Sequence, residues 1–124
     1  MVVVAVAVGV GGTMTHPSAR KGAKFELECA KAISLELGFD ARRALGAGRA
    51  DDTGDIWWPD QQWTIQCKNY ANLADGLREA IAGANRQQRN SGTPYAAGMI
   101  RRPGGRIVVV QSLEQWATVV RELL

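Results

Sequence analysis

Metal-binding and cross-linking residues are scarce in this chain: one histidine, His16, and two cysteines, Cys29 and Cys67, among 124 residues. That scarcity excludes a Cys/His zinc centre and a disulfide-stapled scaffold. Both cysteines fall at apolar positions of a predicted helix and a predicted strand. They read as buried free thiols in a reducing compartment, with a bridge between them as the alternative. Long apolar runs are missing as well. The most apolar stretch, Met1 to Gly12, is too short to span a bilayer and lacks the cationic start of a secretory signal. Residues 1–16 therefore read as a leader or loose tail, or a mis-assigned start with Met14 as the more natural one. An extra strand is the alternative if they are ordered. A cytoplasmic protein without membrane attachment is expected. Nor does one sign of charge dominate: 15 Lys and Arg against 12 Asp and Glu leave +3, which suits nucleic acid without demanding it.

What remains is ordinary globular material. A hydrophobic share of 46% with 22% charged residues argues against disorder, and residues 17–124 suffice for one domain with a core of its own. No internal repeat is present. Leu45 to Thr53 is a Gly-containing loop carrying Arg49 and two acids. Its glycine spacing matches no nucleotide fingerprint, so no nucleotide cofactor is expected. Arg49 and the loop amides could still approach a phosphate.

The stretch that organises the chain is Gly54 to Asn69. Two short runs rich in β-formers flank the polar turn Pro59-Asp60-Gln61-Gln62, which predicts a β-hairpin. Alternation puts Gln66 and Lys68 on one face, with Ile65 and Cys67 pointing the other way into a core. Asp55 stands at the start of the first strand, a better position than Asp52. A carboxylate, an amide and a lysine are thereby gathered on one hairpin, which marks it as the candidate site.

Around it, Ser18 to about Gly38 predicts a first helix whose core stripe holds Phe25, Cys29, Ala30, Ile33 and Leu37. Glu26 falls within that stripe. A carboxylate there is costly unless it pairs with a basic residue or ligates something. Phe39 to Arg43 predicts a strand. Asn72, with Asp75 three residues on, caps a second helix with Leu73, Leu77, Ala80, Ile81 and Ala84 inward. Tyr95 to Arg101 and Arg106 to Gln111 form a second hairpin with Arg101, Arg102 and Arg106 at its turn. Ser112 and Gln115 open a last helix with Trp116, Val119, Val120 and Leu123 inward. The order αβββαββα implies a mixed central sheet with helices on its faces, an α/β/α sandwich.

With Glu26 on a helix, Asp55 at a strand start and Gln66-Cys67-Lys68 on the next strand, the set resembles the PD-(D/E)XK nuclease superfamily. Lys21-Gly22-Ala23-Lys24-Phe25-Glu26 and Leu37-Gly38-Phe39 look like the opening helix and turn of archaeal-type and phage Holliday junction resolvases. Gly54-Asp55-Ile56 and Ile65-Gln66-Cys67-Lys68 are similar to Mrr-type nucleases, where Gln in that slot is usual. The match covers roughly residues 20–70. The resemblance implies a restriction-endonuclease-like core and Mg²⁺-dependent hydrolysis of DNA phosphodiesters, with Mn²⁺ as a substitute ion. Asp55, Gln66 and the Cys67 carbonyl would hold the metal, with Glu26 acting through water, and Lys68 would assist the attacking water. Arg20, Lys21, Lys24, Arg42, Arg43 and Arg49 would contact the DNA backbone. A resolvase makes two symmetric cuts and implies a twofold homodimer. Gln66 replaces the usual acid, so its amide oxygen ligates without charge and holds the ion less tightly. A Mrr-like or general nuclease and a non-catalytic DNA-binding module are the alternatives.

Overall fold

The computed structural model describes residues 2–5, 18–44, 54–102 and 104–124. Its elements in chain order are β1 (Val2–Ala5), α1 (Ser18–Leu37), β2 (Arg42–Arg43), β3 (Ile56–Trp57), β4 (Trp63–Lys68), α2 (Leu73–Ser91), β5 (Tyr95–Arg101), β6 (Ile107–Gln111) and α3 (Leu113–Leu123). The main sheet has the order β1-β6-β5-β4. β4 and β5 run parallel, joined by the crossover helix α2, while β6 is antiparallel to both β5 and β1. The expected order thus stands, with one addition. Residues 2–5 pair with β6 as an extra strand instead of lying outside the fold as a tail.

Alternation sorts the sheet into two cores. Ile65, Cys67, Ala97, Met99 and Ile107 face Phe25, Cys29, Ala30 and Ile33 of α1. Ile100, Val108 and Val110 face Ala80, Leu77 and Ile81 of α2. Helices on both faces of a mixed sheet follow from this split. α2 is bounded as its sequence implies. The Asn72 side chain accepts the Asp75 N–H at 3.1 Å, and Gly92 closes the helix in a left-handed conformation, its N–H reaching the Gln88 carbonyl at 2.7 Å. Among the described residues no helix is long and apolar enough to cross a membrane.

Leu37 and Leu73, expected inward, are 57% and 39% exposed at helix ends. The strand expected over Phe39 to Arg43 is only Arg42–Arg43. Two larger expectations also need correcting. The Gly54–Asn69 segment is not a laddered hairpin. β3 pairs with β2 in a separate two-stranded sheet, and the backbone bond from Asp55 N–H to the Ile65 carbonyl, 2.7 Å, joins the segment to β4. The cause lies at Trp58, which leaves the strand line to be buried between Phe39 and Trp63, ring centroids 5.3 and 5.8 Å away. Pro59 follows and offers no N–H to a ladder. The second correction concerns α3. Trp116 and Leu123 were expected inward, yet they are 37% and 81% exposed, and Val119 and Val120 are only half-buried. Ser112 caps the helix as expected, but the Gln115 side chain turns away to Gln88 and Asn85 of α2 instead of closing a capping box.

Candidate metal and phosphate site

β4 ends the main sheet, so one of its edges is open to a partner. Asp55 takes that place. Its N–H donates to the Ile65 carbonyl at 2.7 Å, its own carbonyl accepts the Ala44 N–H at 2.8 Å, and Oδ2 accepts the Cys67 N–H at 2.8 Å. Bonded to residues 65 and 67, Asp55 lies beside Gln66 in the sheet. Its carboxylate is almost wholly buried, 4% exposed, and is satisfied by a charge-assisted bond. A strand residue presents N–H and C=O to the same edge, so the Cys67 carbonyl also faces Asp55.

Gln66 and Lys68 share a face, as alternation requires, and that face looks at α2. Gly83 of α2 makes room for Gln66: a Cβ at position 83 would meet Gln66 Cγ at 2.8 Å and Cδ at 3.1 Å. Gln66 Oε1 is buried there and accepts no hydrogen bond from the described residues. A buried acceptor without a donor is uncommon and invites an ion or water. Lys68 is half-buried where β4 ends. Its Nζ stands 6.0 Å from the Tyr70 ring centroid, and it has no carboxylate partner among the described residues.

Glu26 lies on the α1 side of the sheet. Of the two alternatives for its place on the apolar stripe, the observed one is pairing: Oε2 accepts from Arg43 Nε at 2.9 Å, with the Glu26 side chain 13% exposed. Arg43 pairs with Glu26 through Nε, and its side chain is 41% exposed. Arg42 likewise pairs with Asp40 at 2.6 Å and covers the Trp57 ring at 5.6 Å. Lys24 is exposed on α1. The side chains of Arg20 and Lys21, and Arg49 and Asp52 altogether, lie outside the described residues. Sequence reasoning passed over a cavity of about 360 Å³ lined by Tyr70, Leu73, Arg101, Arg102 and Gly104. The arginine-rich turn and the Lys68-x-Tyr70 spacing were the signals for it.

Cys29 and Cys67 are free and buried, as expected. Burial pushes the Cys67 thiol well above its ordinary value, helped by a hydrogen bond with Cys29 and by the negative charges of Asp55 and Glu26. Both carboxylates thus act on the same thiol. A raised thiol pKa leaves the folded state protonated where the unfolded chain has lost its proton. Stability is then full below the unfolded value near 9.0 and falls as pH rises beyond it. Denaturant unfolding across pH 8 to 11 (about one unit either side of the thiol range) should show this decline, and Cys67→Ala should flatten it. An identical slope in the variant would contradict the assignment.

Among the described residues no three His, Cys, Asp or Glu side chains cluster to hold a metal. Mg²⁺, however, needs only one or two carboxylates, with waters and substrate phosphates completing its shell. The Asp55 carboxylate and the Cys67 carbonyl are oxygen donors at the β4 edge, and Gln66, between them in sequence, has its Oε1 on the α2 face beneath Gly83, without a partner among the described residues. They fit a hard cation and not a soft one. Glu26, held by Arg43, is one step further away. Compared with known protein families, characterised proteins and solved structures, the chain matches none. The class that fold and site define is a mixed α/β domain with helices on both faces and a buried carboxylate at an outer strand.

Proposed function

We propose that the protein is a metal-dependent DNA endonuclease with a restriction-endonuclease-like core. The supporting observation is the Asp55 carboxylate seated at the β4 edge beside the Cys67 carbonyl, with Gln66, whose buried Oε1 accepts no hydrogen bond from the described residues, at the strand position next to it. Asp55, Gln66 and the Cys67 carbonyl would hold Mg²⁺ or Mn²⁺. When bound, such an ion lowers the pKa of a water and offsets charge developing on a phosphate. Asp55 needs no reorganisation to take part, because its backbone bonds to Ile65 and Ala44 already fix it. Lys68, two residues beyond Gln66 on the same face, brings an ammonium that no carboxylate neutralises among the described residues. It orients the scissile phosphate and stabilises its charge. Glu26 is held in place by Arg43. The preferred substrate in this reading is a branched DNA such as a four-way junction, cut symmetrically by a twofold homodimer.

Labelled four-way junction and matched linear duplex test this directly, each with Mg²⁺, Mn²⁺ or EDTA. Paired nicks in the junction alone, lost in EDTA and in Lys68→Ala, are the expected result. Metal-dependent cutting of both substrates would point to a general nuclease. A binding module that keeps the fold is the second reading, favoured by the uncharged Gln66 and the Glu26–Arg43 pair. It expects DNA binding in EDTA and no cleavage under any metal.

Gln66→Met separates the two readings further. Methionine keeps the volume under Gly83 and removes a buried acceptor, so stability should be unchanged or higher by up to ~1 kcal/mol. Cleavage should fall by about tenfold or more as one ligand is lost. Unchanged cleavage would remove Gln66 from the metal set.

A further inference from the structure

We infer that the cleft where β4 and β5 end is a nucleotide subsite for a single DNA strand, with a base stacked on Tyr70 and a phosphate between Lys68 and Arg102. The inference rests on the reading that this chain acts on DNA, and it adds a contact surface that the six cations of the opening helix and loops do not supply.

The cleft lies beyond the carboxyl ends of the parallel pair β4 and β5, next to the first turn of α2. Crevices at that end of a parallel sheet are where such folds receive ligands. Arg101 and Arg102 line it, and Lys68 ends β4 immediately before its lining residue Asn69. Lys68 aligns with Ile100, and Arg102 lies two residues beyond Ile100, hence on the same face as Lys68. The Arg102 N–H bonds the Arg106 carbonyl at 2.9 Å and fixes the turn, while its guanidinium has no ion pair among the described residues. Two cations without an ion pair among the described residues therefore stand at the ends of adjacent strands, one strand spacing across and two residues along, roughly 8 Å between their Cα positions. Arg101 points to the opposite face. It pairs with Glu28, covers the Phe25 ring at 5.1 Å and holds the Gly105 carbonyl at 2.9 Å. Arg101 is thus the rigid wall that sets the turn, and Arg102 is the group left for a ligand.

Tyr70 supplies the platform. Its ring is 43% exposed, and Lys68 stands over it. An exposed ring flanked by cations is the arrangement that binds single strands without reading sequence, stacking the base and neutralising the backbone. A duplex offers no free base to Tyr70. At a branch point or a frayed end, one strand can reach it. The subsite therefore gives a structural reason for a preference for branched over linear DNA.

The test is binding of a fluorescein-labelled oligo-dT strand by the full chain in EDTA, so that no cleavage intervenes. Wild type should bind the strand more tightly than a matched duplex. Tyr70→Ala should weaken strand binding about tenfold while leaving duplex binding unchanged, and Tyr70→Phe should bind as wild type. Arg102→Ala should weaken binding to both and reduce the salt slope by about one. Thymidine monophosphate should compete only weakly. No strand binding by wild type, equal affinity in Tyr70→Ala, or full displacement by the mononucleotide at low concentration would overturn the subsite. None of these depends on catalysis, so the subsite and the nuclease reading can fail separately: strand binding without metal-dependent cleavage would sink only the latter.

Discussion

Gly98→Ala is expected to destabilise the fold more than any other single methyl group added to it, by about 3 kcal/mol. Gly98 lies in the middle of β5 where α2 crosses the sheet. A Cβ there would stand 2.6 Å from Ala80 Cβ, 3.0 Å from Ala80 C and 3.1 Å from Ala80 O. Two of those three atoms are helix backbone, which cannot rotate away. α2 is fixed at both ends by its Asn72 cap and Gly92 stop, so the whole helix must move out from the sheet. The entropy that alanine saves in the unfolded chain, up to ~1 kcal/mol, does not offset this. The melting temperature should drop by about 10 °C. Adding Ala80→Gly removes the nearest contact and should restore part of the loss, less ~1 kcal/mol for glycine in a helix. A Gly98→Ala protein as stable as wild type would contradict the close α2–β5 packing. Gly83→Ala is expected to be milder. Its new Cβ meets only the Gln66 side chain, which has torsions to adjust.

Asp55→Asn is expected to have the largest effect on activity, abolishing cleavage by about 100-fold or more while the fold persists. The Asn side-chain oxygen can still accept the Cys67 N–H, so the β4 edge stays joined, with a loss of about 1 kcal/mol from the weaker, uncharged bond. What disappears is the carboxylate that a divalent ion needs. Asp55→Ala behaves differently. It leaves a buried Cys67 N–H without acceptor and should cost about 2 kcal/mol in stability besides the activity. Comparing the two by thermal unfolding and by cleavage separates the structural role of Asp55 from its proposed chemical one. Asparagine with near wild-type cleavage would refute the chemical role.

Much of the frame could be read in the sequence because it is specified locally. Asn72, Asp75, Gly92 and Pro94 bracket α2 within one segment, and the period-two alternation of Trp63–Lys68 correctly divides β4 into its α1 and α2 faces. The features that escaped are those decided by distant partners. Glu26 was ambiguous by helical phase because its partner Arg43 lies 17 residues away, beyond the helix. The pairing of β3 with β2, not β4, follows from the burial of Trp58 against Phe39, which no local pattern encodes. Gln66 was legible as polar on a sheet face. That the face is sealed by α2, with Gly83 opening the space, emerges only once α2 is docked. The α3 stripe of Trp116, Val119, Val120 and Leu123 was correct as a pattern and wrong as burial. The helix leans on the sheet through few contacts and is tied to α2 through Gln115.

Central to the proposed function is a divalent ion held at the β4 edge beside Asp55. Amide signals of isotopically labelled protein, followed during a Mn²⁺ titration with a short DNA junction present, test it without relying on turnover. Selective paramagnetic broadening is expected at Asp55, Gln66, Cys67 and Lys68, absent in Asp55→Asn and reversed by EDTA. Broadening spread over the acidic surface, or the same pattern in Asp55→Asn, would place the metal elsewhere and contradict the account.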